Sequence, residues 1–147
     1  MSDASSPSAL HLLHRAGQCA DEVFASHISD SQMTPRQFAV LKAIADSTEP
    51  SQTTLVQATG IDRSTVADIV RRLVERGLIG RKRTRRDARM YAVRLTQRGE
   101  AALKMAQPAA HTTEKQLLSA LQPKEREVFL GTLAKIVNVT GDDERGD

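Results

Sequence analysis

Apolar residues recur at helical spacing through most of the chain, and the places where that spacing stops divide it into elements. Leu10, Leu13, Gly17, Ala20, Phe24 and Ile28 predict one long helix over about residues 8–28. A second start follows in "TPRQF", where Thr34 is placed to cap, Pro35 suits the first helical position and Gln37 completes a capping box. Phe38, Leu41, Ile44 and Ala45 give that helix its apolar stripe until "DSTEPS" ends it. A short helix is expected around Gln52–Thr59, stopping at Gly60, which can take the positive φ of a tight turn. Asp62 and Ser64 are both candidate caps for the next helix, which runs to about Arg76 before Gly77. Its Val66, Ile69, Val70 and Leu73 share one face, while Thr65, Asp68, Arg71, Arg72 and Glu75 point elsewhere.

Two short helices separated by a glycine turn, the second exposing polar groups, make a helix-turn-helix. The period then changes: Tyr91, Val93 and Leu95 alternate with Ala92, Arg94 and Thr96, as in a strand. "GLIGRK" and "ARMYAVRL" can pair as a hairpin, and a basic hairpin directly after a helix-turn-helix is a winged helix. Helical spacing resumes after Thr96, a candidate cap, with Pro108 marking a kink or break. Pro123 opens a last helix carrying Phe129, Leu133, Ile136 and Val137. Much of this terminal apolar surface lies outside the winged helix, so the first and last helices are expected to pack together and against a second chain. "MSDASSPS" and "GDDERGD" have little apolar surface to pack and are not expected to order alone.

Charge sharpens the picture at one place. The 147 residues hold 21 Lys and Arg against 18 Asp and Glu. The stretch "RKRTRRDAR", Arg81 to Arg89, has six of those cations and one acid, and without it the balance is 15 to 17. The positive excess therefore sits wholly on the expected hairpin, which suits a localised polyanion rather than general stickiness. Aromatics are few (Phe24, Phe38, Phe129, Tyr91, no Trp), which argues against single-strand recognition by base stacking. A single cysteine, Cys19, excludes an internal disulfide and fits a reducing compartment. Neither a membrane span nor a secretory leader is visible, so a cytoplasmic protein without membrane contact is expected. No phosphate loop, nucleophile elbow or metal-ligand spacing appears, so neither an enzyme nor a cofactor or metal site is expected.

The segments "TPRQFAVLKAI", "TGIDRSTVADIVRRLVERGLIGR" and "RRDARMYAVRLTQRGEAAL" resemble the MarR family of bacterial transcription regulators. The last contains the family's Asp-x-Arg wing signature, here Asp87 and Arg89, followed by Leu95, Thr96 and Gly99. The resemblance spans about residues 10–138. It implies a mainly α fold with a small β-hairpin wing: a winged helix-turn-helix flanked by N- and C-terminal dimerisation helices. On that division residues 31–96 bind DNA, 9–30 and 97–140 dimerise, and 1–8 and 141–147 are disordered ends. It further implies a homodimer on a pseudo-palindromic double-stranded operator, often as a repressor released by a small molecule.

The chemistry of such a site selects residues. A recognition helix fits the major groove, where base edges carry distinguishable donor and acceptor patterns. Arg63, Ser64, Thr65 and Asp68 lie at its leading end; Ser64 and Thr65 suit phosphate or base contacts. Asp68 could accept from a cytosine amine, or pair within the helix with Arg71 or Arg72. Asp68 also departs from the basic or small polar residue many relatives carry there. Arg71, Arg72, Gln52 and Thr53 read as phosphate contacts that set register. Arg85 and Arg86 form the wing tip; the resemblance places Arg89 in the minor groove, whose negative potential attracts arginine, with Asp87 holding its guanidinium.

For control, His11, His14, Arg15, Gln18 and Cys19 cluster on the first helix, where an anionic aromatic compound or an acyl thioester could find a counter-ion. Two alternatives stay open: a thiol-based redox sensor through Cys19, and a winged helix that docks proteins. The basic rather than apolar wing tip favours DNA over protein docking.

Overall fold

The computed structural model describes residues 6–30, 32–83 and 91–139. In order these form α1 (Ala9–His27), α2 (Pro35–Ala45), α3 (Gln52–Thr59), α4 (Arg63–Glu75), β1 (Ile79–Arg83), β2 (Tyr91–Leu95), α5 (Gln97–Leu118) and α6 (Pro123–Val137). The chain divides into two compact units, Met1–Thr113 and Glu114–Asp147. The expected disordered ends fall mainly outside the described residues.

Local signals account for most element ends in the first unit. Ser8 caps α1, accepting from the His11 N–H. Thr34 and Gln37 close a reciprocal box at α2, with Pro35 at its first position. Ser51 and Thr54 do the same at α3, and Gly60 ends it at φ 70°. The cap of α4 is Asp62; Ser64 lies inside the helix and donates to the Asp62 carboxylate instead of capping. The Asp62 carboxylate accepts the Thr65 N–H, three residues on as a cap requires, which settles between the two candidates.

The core is built where α2, α3, α4 and the hairpin converge. Val40, Leu41, Leu55, Val66, Val70 and Leu73 are fully buried, with Ile79 and Val93 closing the hairpin side. The strands pair antiparallel from Ile79 opposite Leu95 to Arg83 opposite Tyr91. The Val93 N–H also donates to the Pro50 carbonyl at 2.9 Å, fastening the hairpin to the loop before α3. Strict alternation fails in β2: Ala92 and Val93 are both buried while Tyr91 is half exposed. In α2, Ala45 is exposed, and Val40 and Gln37 join the buried set that the stripe had omitted.

One joint sets the angle at which the hairpin and α5 leave the recognition helix. Helix α4 ends with Leu78 N–H bonded to Leu73 carbonyl and Gly77 N–H to Val74 carbonyl, with Gly77 at φ 75°. Paired bonds of this kind satisfy the last carbonyls of a helix, and Leu73 and Leu78 are both buried at this end. Thr96 then locks the returning chain: its hydroxyl donates to Gly77 carbonyl at 2.6 Å and accepts from Gly99 N–H at 3.1 Å. A Cβ on Gly99 would lie 1.9 Å from the Leu78 carbonyl oxygen, so only glycine allows this approach. That contact gives the Leu95, Thr96 and Gly99 motif its physical reason.

The flanking helices behave differently. Of the expected α1 stripe only Phe24 is buried, against Phe38 at 6.3 Å between ring centroids; Ala20 and Ile28 are half-buried, and Leu10, Leu13 and Gly17 are exposed. Pro108 does not break α5, which runs on to Leu118. In the second unit, Glu125 accepts from the Gln122 N–H at the start of α6, and Arg126 donates to the Leu118 carbonyl. No residue of α6 is buried; Leu133 is half-buried, and Phe129, Ile136 and Val137 are exposed.

Candidate nucleic-acid interface

The leading end of α4 is organised by one carboxylate. Asp62 accepts from Thr65 Oγ1 at 2.7 Å, Ser64 Oγ at 2.7 Å and Thr65 N–H at 3.0 Å. These donors, the Thr65 hydroxyl first, hold its carboxyl down from 3.8 to about 2. Both hydroxyl protons are thereby committed inward, which leaves Ser64 and Thr65 to offer oxygen lone pairs to donors. Arg63 Nη1 donates to Thr53 Oγ1 at 3.2 Å, tying the start of α4 to the first turn of α3. Gln52 and Thr53, half-buried, line a recess of about 190 Å³ with Ser51 and Tyr91, the first residue of β2, which pairs with Arg83. Gln52, Thr53, Arg63, Ser64 and Thr65 are thus carried on the joined first turns of α3 and α4.

One turn further on, Asp68 Oδ1 accepts from Arg71 Nη2 at 2.6 Å and Asp68 Oδ2 from Arg72 Nε at 2.9 Å. Arg71 also donates to Glu75 at 3.0 Å. Of the two options weighed for Asp68, the intrahelical pair is the one present, and with both arginines at once. The Arg71 hydrogen bond is the leading reason that the Asp68 carboxyl lies below its ordinary value. The same bond holds the Arg71 guanidinium above its ordinary value.

On the hairpin, Arg81, Lys82 and Arg83 belong to β1 and are exposed. Lys82 reaches back to Glu49 at 3.3 Å. Arg85, Arg86, Asp87 and Arg89 lie outside the described residues.

Two tertiary pairs escaped the sequence reading. Lys82–Glu49 is one, made from a left-handed Glu49 at φ 47°. The other joins Arg76, the C-cap of α4, to Asp30 in the α1–α2 loop at 2.5 Å, with only a quarter to a third of each side chain exposed. Burial, the largest influence, opposes the charge on Asp30, yet the Gln32 N–H and Arg76 outweigh it and keep the carboxyl below its usual value. Arg76 Nη1 is buried with no partner among the described residues. Partners 46 residues apart leave no spacing signal to read.

The effector cluster stays on one helix. His11, His14, Arg15 and Gln18 are exposed on α1, Cys19 is half-buried, and Arg15 donates to Gln18 at 2.6 Å. A larger cleft of about 420 Å³ lies elsewhere, between the end of α2, β2 and α5, lined by Ile44, Glu49, Lys82, Val93, Leu103 and Lys104 among others. It includes none of the α1 cluster. Among the described residues no group of three metal-ligating side chains converges, and no helix is long and apolar enough to cross a membrane.

This geometry has counterparts. The family model of the MarR family matches residues 31–90. The transcriptional repressor NicR of Pseudomonas putida is 34% identical over 128 residues, which cover 87% of this chain and 81% of that one. The solved structure of Bordetella bronchiseptica BpsR, described as regulated in its DNA binding by 6-hydroxynicotinic acid, shares 32% identity. It covers 95% of this chain and all of its own, with a TM-score of 0.81. The transcriptional repressor CouR, solved on a 23-mer DNA duplex, shares 31% identity over 88% of this chain and 92% of its own, with a TM-score of 0.77. A recognition helix on a buried apolar face, a hairpin locked behind it and this likeness over most of the length agree: the chain belongs to the MarR family of winged helix-turn-helix transcriptional regulators.

Proposed function

We propose that this protein represses transcription as a homodimer on a pseudo-palindromic duplex operator and that an anionic aromatic small molecule releases it. The observation that carries the reading is the division of α4. Its Val66, Ile69, Val70 and Leu73 anchor it in the core, while Ser64, Thr65, Asp68, Arg71 and Arg72 lie on the other side. A helix held rigidly by one face can present the other to base edges in the major groove. Arg63, Gln52, Thr53, Arg71 and Arg72 then serve as contacts that set register, and Arg85, Arg86 and Arg89, with Asp87 as the holder of Arg89, serve the minor groove.

Dimerisation rests on the exposed apolar residues of α1 and α6, which need cover in water. The aromatic acid is favoured over an acyl thioester because DNA binding by the Bordetella relative responds to 6-hydroxynicotinic acid. Arg15, exposed on α1 beside His11, His14, Gln18 and Cys19, is the proposed counter-ion for its carboxylate.

Fluorescence anisotropy on duplexes from the DNA flanking its own gene tests this reading. Arg89→Ala should cost about 10-fold or more in affinity at unchanged melting temperature. Added 6-hydroxynicotinate should release the wild-type protein and spare Arg15→Ala. Undiminished binding by Arg89→Ala would remove the wing from the interface, and an equal response of both proteins to the acid would remove Arg15 from the effector site.

A further inference from the structure

The exposed side of α4 is electrically unlike the hairpin beside it. From Asp62 to Glu75 the chain carries three acids (Asp62, Asp68, Glu75) and three arginines (Arg63, Arg71, Arg72), so the recognition helix brings no net charge to a polyanion. Its two best-placed cations are also engaged. Each Asp68 oxygen accepts from a different arginine, Oδ1 from Arg71 and Oδ2 from Arg72. All three side chains are about half exposed, so the contacts exchange readily with solvent and with any better partner.

Resting on the DNA-binding reading above, we propose that Asp68 is a specificity-determining residue that works by exchange. Off the operator, Asp68 keeps Arg71 and Arg72 from the phosphates; on it, a base amine replaces them and releases them to the backbone.

The physical reason lies in what each partner can offer the carboxylate. Phosphate oxygens are acceptors only, so taking an arginine from Asp68 leaves a bare carboxylate facing the polyanion. That penalty applies on any sequence. It is relieved only where a cytosine N4 or adenine N6 amine stands opposite Asp68 to donate in the arginine's place. Non-specific binding is almost entirely phosphate attraction, so a device that withholds cations subtracts mainly from it. The carboxyl, held below its ordinary value first by Arg71, stays fully charged at neutral pH and keeps the device active.

The experiment compares wild type and Asp68→Asn on an operator duplex and on a scrambled duplex of equal composition, between 50 and 200 mM salt. For wild type, the slope of log affinity against log salt should be steeper on the operator by about 0.9 for each arginine released. Asp68→Asn keeps the shape and removes the charge. It should bind the scrambled duplex more tightly, on the order of tenfold at 50 mM salt per arginine freed, with a slope steepened to match the operator's. The operator-to-scrambled affinity ratio should therefore fall. Unchanged scrambled-duplex affinity and slope would overturn the proposal; with loss of operator affinity alone, Asp68 would be a base contact without the exchange. Asp68→Ala repeats the test should the asparagine variant fold poorly. Failure of wild type to bind any duplex would instead overturn the DNA-binding reading itself, and that outcome is visible before any substitution is made.

Discussion

In α4 the apolar positions Val66, Ile69, Val70 and Leu73 are all buried, three of them completely. In α6 Phe129, Ile136 and Val137 also recur at helical intervals and none is buried; Val128 and Leu130 beside them are exposed as well. Helix α1 stands between the two: Phe24 enters the core while Leu10, Leu12 and Leu13, two turns and more upstream, stay exposed. An apolar stripe states that a helix needs cover but not what supplies it. For α4 the cover is α2, α3 and the hairpin of the same chain. For α6 and the N-terminal half of α1, the uncovered area is what supports a second copy as the cover.

The sharpest way to break the covered region is at its joint. Gly99→Ala forces a methyl against the Leu78 carbonyl, and that carbonyl is held by the Thr96 N–H at 3.0 Å. Because the neighbour is backbone and cannot swing aside, the substitution should cost about 3 kcal/mol or more in urea unfolding. A wild-type urea midpoint would mean that the joint is looser than the geometry indicates.

The uncovered region should answer in oligomeric state rather than in folding. Leu130→Glu together with Val137→Glu should weaken self-association by on the order of 100-fold, since an interface would then hold unpaired buried charges. Sedimentation velocity over a concentration series reads this directly. An association constant equal to wild type would free α6 from any part in dimerisation.

The smallest effect is an acid one at the cap of α4. Asp62 is depressed to about 2 in the folded protein, from an ordinary 3.8. The folded state therefore binds its proton less readily, and the stability this contributes is fully present above pH 4. It fades as pH falls from about 4 through about 2. The difference in melting temperature between wild type and Asp62→Asn should shrink across that window and hold steady above it. A difference that did not change with pH would mean that the cap acts through its shape and not its charge.

Legibility followed distance along the chain. The box at Thr34–Gln37, the turn at Gly60 and the end at Gly77 all use partners within five residues, and each was readable as a spacing, while the cap of α4 was narrowed to Asp62 or Ser64. Ser64 lost the capping role because α4 already starts at Arg63 under the Asp62 cap, to which the Ser64 hydroxyl donates, and β2 departs from alternation because Ala92 and Val93 are both buried. The residues proposed to contact DNA were legible as types, and the pairing of Asp68 with Arg71 or Arg72 as one of two options; that it holds both at once, and the tie of Arg63 to Thr53, appear only in three dimensions.

The amino-acid order alone determined a helix-turn-helix followed by a basic hairpin, because helical period, strand period, caps and turn glycines act over a few residues and do not wait for the rest of the fold. Tertiary structure decided which apolar faces are covered, that Gly99 must press on Leu78, and that Arg76 meets Asp30 and Lys82 meets Glu49. Those contacts join residues 21 to 46 positions apart, and only packing of the intervening elements brings them within reach.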